Sequence, residues 1–209
     1  MQKTDHLYNG GSKVSSKIGV ISSLIKKVDN IAIVGAMANN FLMFKGFKVG
    51  KSIIEKDAHL IVKKIYNLSK DNNCKIIIPE DCSISQTMNG RSSIKDANQI
   101  STEDIILDIG PKSIKKILHL IDNSKTVLWN GPAGYFENEN FALGTNSIAN
   151  KISSNTINNS LLSIVGGGDT VSAIKNINFS LNFTHLSTAG GAFLEFLEGK
   201  NLPGIEVLK

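Results

Sequence analysis

The chain has 209 residues, of which 41% are hydrophobic and 20% are charged, so it is long enough to bury a core as one large domain or two small ones. Its net charge of +5 comes from scattered lysines and a single arginine, Arg91, which excludes the concentrated basic face of a nucleic-acid-binding protein. Two isolated cysteines, a polar N-terminus and no apolar run near the roughly 20 residues of a membrane span predict a cytoplasmic protein without a disulfide, a signal peptide or membrane contact.

Short apolar runs alternate with amphipathic stretches along the chain. The predicted strands are residues 31–34, 75–78, 105–109, 126–129, 163–165 and 185–187, and the predicted helices are residues 18–28, 39–46, 57–68, 111–121, 141–152, 171–174 and 192–197. Alternation of this kind predicts an α/β fold, Rossmann-like and doubly wound, with a mainly parallel sheet of about six strands and helices on both faces. The polar stretch 82–99 is predicted to be a loop.

The N-terminal segment does not follow this pattern. Residues 4–9 precede a glycine-rich loop, where a strand is expected, but they are too polar for a buried parallel strand. Either that strand is poor or missing, or the chain begins in the middle of a domain. The sequence therefore divides into an atypical polar segment, 1–9, and a nucleotide-binding domain, 10–209.

Five glycine-containing loops follow the predicted strands or the N-terminal segment. They are residues 10–17, 34–39, 130–134, 166–170 and 187–191. Parallel strands place such loops at one edge of the sheet, where glycine lets backbone N–H groups approach a phosphate. Lys13 and Lys17, four residues apart, share one face of a helix, where they either hold a phosphoryl group or form a solvated lysine face. Asp169 adds a hard oxygen ligand for Mg²⁺, so nucleotide chemistry is the leading interpretation.

The ordered set of these segments resembles the phosphoglycerate kinase family. The resemblance rests on residues 10–17, 35–39, 128–137, 166–170 and 185–204, and it runs from about Gly10 to the end of the chain. It corresponds to the C-terminal, nucleotide-binding domain of that enzyme. The activity that it implies is reversible phosphoryl transfer between 1,3-bisphosphoglycerate and MgADP, a step of glycolysis that gives 3-phosphoglycerate and MgATP.

The resemblance also implies roles for individual residues. Lys13, Gly168 and Gly191 would act in catalysis, and Asp169 would hold Mg²⁺. The loop 187–191 would face the acyl phosphate and the interdomain hinge. The implied nucleotide-binding residues are Gly35, Ala36 and Leu107 at the adenine, Asn130 and Glu137 at the ribose and phosphate side, Lys17, Gly167, Gly168, Asp169 and Thr170 at the phosphates, and Pro132 beside them.

One departure from the family limits what the resemblance implies. Family members carry a second, N-terminal domain that binds phosphoglycerate with a cluster of arginines and a histidine, and Arg91 alone does not replace that cluster. The sequence therefore predicts MgATP or MgADP as ligands, and 3-phosphoglycerate only with a complementing N-terminal half. The alternatives are a nucleotide-binding module without transferase activity and a truncated, inactive relic.

Overall fold

The computed structural model describes residues 5–11, 13–158, 160–177 and 180–208. The strands are β1 (Asp5–Asn9), β2 (Asn30–Ile33), β3 (Lys75–Ile77), β4 (Asp81–Ser85), β5 (Ser93–Asp96), β6 (Ile105–Ile109), β7 (Thr126–Asn130), β8 (Leu162–Gly166) and β9 (His185–Ser187), and the helices are α1 (Ile18–Ile25), α2 (Met37–Phe44), α3 (Ala58–Asp71), α4 (Pro111–Asp122), α5 (Leu143–Ile157), α6 (Gly168–Lys175), α7 (Gly191–Leu197) and α8 (Pro203–Glu206). Within these described ranges, no helix combines the length and the apolarity needed to cross a membrane.

The main sheet has six parallel strands in the order β3-β2-β1-β7-β8-β9. Because successive side chains of a strand point to opposite faces, Ile31 and Ile33 pack with α1, α2, α3 and α7. Ala32 and Val34 belong to the core on the other face, with α4, α5 and α6. This arrangement confirms the predicted doubly wound α/β fold with helices on both faces.

The N-terminal segment supplies a central strand of this sheet. The backbone of β1 pairs in parallel with β2 on one side and with β7 on the other. The possibility that this strand is missing is therefore wrong, although Thr4 lies outside the described residues. The polarity of the side chains did not predict this strand, because strands pair through hydrogen bonds of the backbone. The strand order reverses direction at β1 and β7, and ligands of such sheets bind at this point.

A second, smaller sheet replaces the predicted loop at 82–99. Strands β4, β5 and β6 form a three-stranded antiparallel sheet in the order β5-β4-β6. The placement of Ile105–Ile109 in the parallel sheet is therefore wrong as well. Every residue of β4 is buried, and its polar side chains find partners: the Asp81 carboxylate accepts hydrogen bonds from the backbone N–H groups of Lys112 and Ser113, at the start of α4.

Candidate functional site

The predicted glycine loops meet at the carboxyl edge of the main sheet. The N–H of Gly10, after β1, donates to the carbonyl O of Asn130, at the end of β7, at 2.8 Å. The N–H of Gly35, after β2, donates to the carbonyl O of Ala133 at 3.0 Å. A Cβ on Gly10 would come closer than 3.0 Å to the carbonyl O of Pro132, so these backbones touch directly. Ser12 of the first loop lies outside the described residues.

An apolar cavity of about 290 Å³ lies between these loops and the small sheet. Six residues that the resemblance assigns to the nucleotide line it, namely Gly35, Ala36, Leu107, Pro132, Glu137 and Asp169. Further lining residues belong to no motif that the sequence displays: Leu42, Ile53, Pro79, Ile106 and Asp108. Their contribution depends on the position of the small sheet, which the sequence did not predict.

A second, polar cavity of about 250 Å³ adjoins the first, and we call it the glycine cavity. Its lining includes Gly10, Gly11, Lys13, Ser16, Lys17, Asn130, Gly131, Gly167, Gly168, Asp169, Thr170, Gly190, Gly191 and Leu194. The three residues with an implied catalytic role, Lys13, Gly168 and Gly191, therefore come together. Gly11 and Asp169 line both cavities, so the two lie side by side at these residues.

Lys17 is the half-buried cation of the glycine cavity. Burial lowers its pKa, and the nearby Asp169 carboxylate opposes that shift. Its Nζ donates a hydrogen bond to Oδ1 of Asn130, and Nδ2 of Asn130 donates to the carbonyl O of Gly166 at 2.8 Å. Both ends of the buried Asn130 amide are thus engaged within the protein, and the amide holds the Lys17 ammonium at the cavity.

Helix α6 begins in the glycine cavity. Its N-cap, Gly167, has a φ of 98°, and the N–H groups of the first turn that follows have no partner within the helix. A Cβ on Gly168 would meet no atom within 4 Å, so the space in front of this turn is open. The Thr170 hydroxyl is buried and accepts from the N–H of Gly131 at 2.6 Å, which fixes this turn against the loop after β7. Such a turn favours an anion.

Within the described part of the chain, Asp169 is the only acidic side chain that lines both cavities. It is exposed in the first turn of α6. Among the described residues, no group of three or more His, Cys, Asp or Glu side chains lies close enough to hold a metal ion. Mg²⁺ is commonly bound by one or two carboxylates together with substrate phosphates and waters, so a single carboxylate fits a cation that arrives with a nucleotide.

Only part of the last predicted loop, residues 187–191, lines the site. Gly190 and Gly191 line the glycine cavity. Ser187 is buried instead, and its Oγ accepts a hydrogen bond from the N–H of Ala189 at 3.3 Å. Thr188 is exposed and lines neither of the two cavities.

The sequence model of the phosphoglycerate kinase family matches residues 6–200 of the chain. The chain belongs to the phosphoglycerate kinase family. It is 45% identical over 202 residues to the phosphoglycerate kinase of Dictyoglomus turgidum, covering 96% of this chain and 50% of that enzyme. The phosphoglycerate kinase of Agrobacterium fabrum is 44% identical over 201 residues, covering 95% of this chain and 50% of that enzyme.

Solved phosphoglycerate kinases share the fold. The structure from Coxiella burnetii superposes with a TM-score of 0.93 at 36% identity, covering 100% of this chain and 53% of that one. The enzyme from Pyrococcus horikoshii OT3 gives a TM-score of 0.78 at 25% identity, covering 99% of this chain and 52% of that one. The chain thus spans about half the length of the phosphoglycerate kinases that it matches.

Proposed function

We propose that this chain is the nucleotide-binding half of a phosphoglycerate kinase. It binds MgADP and MgATP, and it takes part in reversible phosphoryl transfer with 1,3-bisphosphoglycerate when a phosphoglycerate-binding half is present. The observation that carries the proposal is that the two cavities lie side by side and share Gly11 and Asp169. An apolar pocket beside a polar, glycine-lined one matches the two chemically different ends of a nucleotide.

In this proposal the base enters the apolar cavity and the phosphates enter the glycine cavity. Glu137, an exposed carboxylate on the wall of the apolar cavity, would accept hydrogen bonds from the ribose hydroxyls. Mg²⁺, bound to the phosphates and to Asp169, would neutralise charge as the phosphoryl group moves. Lys13, Lys17 and the first turn of α6 would supply positioned positive charge, which is the main requirement of phosphoryl transfer.

The second substrate requires groups that are scarce in this chain. Phosphates and carboxylates are recognised best by forked arginine side chains, and the chain has one arginine, Arg91. Arg91 lies in the loop that connects β4 to β5 and lines neither the apolar nor the glycine cavity. We therefore assign 3-phosphoglycerate binding to a complementing half, and we assign the pair to glycolysis in the cytoplasm.

Calorimetric titration with MgADP tests the nucleotide part of the proposal. We expect saturable binding that Lys17→Ala weakens about tenfold or more, because a charge-assisted contact to phosphate is lost. Lys27→Ala, which removes an exposed lysine just beyond α1, is the matched control and should bind like the unmodified chain. Binding that is absent, or unaffected by Lys17→Ala, would refute this assignment of the cavities.

A nucleotide-binding module without transferase activity is the second candidate, because the chain spans only about half of its relatives. A coupled assay for ATP formation from 1,3-bisphosphoglycerate and MgADP separates the two candidates. The chain is mixed with a second chain that carries the other half of a phosphoglycerate kinase. Activity of the mixture that Lys17→Ala reduces supports the enzyme, whereas binding without activity supports the module.

A further inference from the structure

A buried carboxylate lies behind the apolar cavity. Asp108, near the end of β6, is only 2% exposed and is one of the residues that line the cavity. Its Oδ2 accepts a hydrogen bond from the N–H of Gly144, in the first turn of α5, at 2.7 Å. Its Oδ1 accepts from the N–H of Ile109 at 2.8 Å. A Cβ on Gly134 or on Gly144 would overlap this carboxylate, so both glycines are packed against it.

Through these contacts, the Asp108 side chain touches one loop near both of its ends. The segment 131–142 connects β7 to α5, and residues 132–137 of this segment line the apolar cavity. Gly134 packs on the carboxylate near the start of the segment, and Gly144 donates to it just past the end. Between them, the N–H of Tyr135 donates to the carbonyl O of Leu107 at 2.7 Å. The wall of the cavity is thus attached to β6 by the Asp108 side chain near its two ends and by the backbone of Leu107 between them.

We propose that Asp108 is a positioning residue for base binding, whose ionised carboxylate holds the 131–142 loop in the shape that receives the base. This inference rests on the proposed function, because it takes the apolar cavity as the base site. The ionised form offers an acceptor oxygen to each of the two N–H donors. The protonated form has a hydroxyl on one oxygen, which is a poorer acceptor for the N–H that faces it.

The surroundings of Asp108 favour a proton near neutral pH. Burial raises the pKa of Asp108 to about 7, and the N–H groups of Gly144 and Ile109 oppose this shift. On the adjacent β4, Cys82 has its pKa raised to about 12 by burial and by Asp81 and Asp108, so its thiol stays neutral.

Other ionisable groups lie on the elements packed against Asp108. The Asp81 carboxylate is bonded to the N–H groups of Lys112 and Ser113, and the 131–142 loop carries Tyr135 and the exposed Glu137. The bound base adds little desolvation, since Asp108 is nearly buried already. We therefore expect the affinity for the base to fall as the pH falls through about 7.

Adenosine is the ligand for the test, because it carries the base without titrating phosphates. Between about pH 8.5 and about pH 5.5 we expect the affinity of the unmodified chain to fall about tenfold, the scale of one hydrogen bond to a charged group. Asp108→Asn should bind adenosine weakly at both pH values, because the amide has one acceptor oxygen for two donors. A variant that keeps the original affinity and pH profile would overturn the proposal.

Asp104→Asn is the matched control for general loss of stability. Asp104 is also 2% exposed and accepts from the N–H of Ser101 at 2.7 Å and from Lys95, but it does not line the apolar cavity. The Asp104→Asn substitution should lower the melting temperature and leave the pH profile of adenosine binding unchanged. If Asp104→Asn flattened the profile as Asp108→Asn does, a specific positioning role for Asp108 would be refuted.

The only tryptophan provides a readout that needs no ligand. Trp129 is buried, and its Nε1 donates to the carbonyl O of Gly131, at the start of the same loop, at 2.8 Å. We expect its indole N–H signal in NMR spectra to shift with a midpoint near the pKa of Asp108, and we expect Asp108→Asn to abolish this shift. An indole N–H signal that does not change with pH would overturn the positioning role of Asp108. If the indole signal shifted with pH but adenosine did not bind, Asp108 would still position the loop, and the assignment of the apolar cavity as the base site would be refuted.

Discussion

The apolar cavity and the glycine cavity both contain glycines, but for different physical reasons. At the apolar cavity, a Cβ on Gly35 would come within 2.8 Å of the carbonyl O of Pro132, and one on Gly134 would overlap the Asp108 carboxylate. The same holds for Gly10 and Gly131, at the rim of the glycine cavity, where a Cβ would overlap the backbone of the facing loop. In the glycine cavity, by contrast, a Cβ added to Gly168, Gly190 or Gly191 would meet no atom within 4 Å. The first set is required by the packing of the protein itself. The second set leaves space for something that is not part of the chain.

The difference separates structural from functional glycines without any comparison of sequences. A glycine whose Cβ would collide with its own protein is fixed by the fold. A glycine that faces open space at the start of a helix is explained better by a ligand that must approach the backbone. Substitutions at the two kinds of position should therefore affect different measured quantities.

The largest effect is expected for Gly131→Ala. The new methyl group would overlap the backbone of Gly10, and Gly131 has a φ of 96°, which residues with a Cβ rarely adopt. We expect the free energy of unfolding to fall by about 3 kcal/mol, the sum of a strained backbone and an overpacked site. Urea denaturation followed by circular dichroism measures it. Unchanged stability would mean that the loops after β1 and β7 are not packed as described.

Gly168→Ala should have the opposite profile. Alanine is a better helix former than glycine, so stability is expected to stay the same or to rise by about 0.5 kcal/mol. The methyl group would occupy the space in front of the first turn of α6, so MgADP should bind about tenfold more weakly, a cost of about 1.4 kcal/mol. Thermal denaturation and calorimetry on the same sample check both parts. Unimpaired MgADP binding would show that the phosphates lie elsewhere.

The sequence predicted the glycine cavity far better than the apolar one. Each loop of the glycine cavity follows a strand of one parallel sheet, and parallel strands end at one edge, so local patterns near Lys13 and Asp169 were sufficient. The apolar cavity depends on how the small sheet packs against the loop after β7. Polar residues such as Asp81 and Ser83 made β4 resemble a loop, because the sequence does not show that folding brings Ser113 to Asp81 and Ser92 to Ser83. Ile106 and Asp108 therefore had no visible signal.

Asp169 lines both cavities, so its substitution shows whether it acts on the phosphates or on the base. If it holds Mg²⁺ on the phosphates, Asp169→Ala should weaken MgADP binding about fivefold, since one of few ligands to the cation is lost. Adenosine affinity should not change, because the base site keeps its walls. Metal-free ADP should bind as well as before or slightly better, because a negative charge beside the phosphates is removed.

The comparison of these three ligands distinguishes a metal ligand from a merely structural carboxylate. Asp169 is exposed, and its charge opposes the lowering of the Lys17 pKa by burial, so its removal leaves the fold intact but weakens one influence that keeps Lys17 protonated. If Asp169 acted only through Lys17, its removal would reduce the binding of ADP with and without Mg²⁺ equally. A selective loss of MgADP therefore identifies Asp169 as the metal ligand, and an equal loss of both refutes it. Calorimetry with and without a chelator measures the difference directly.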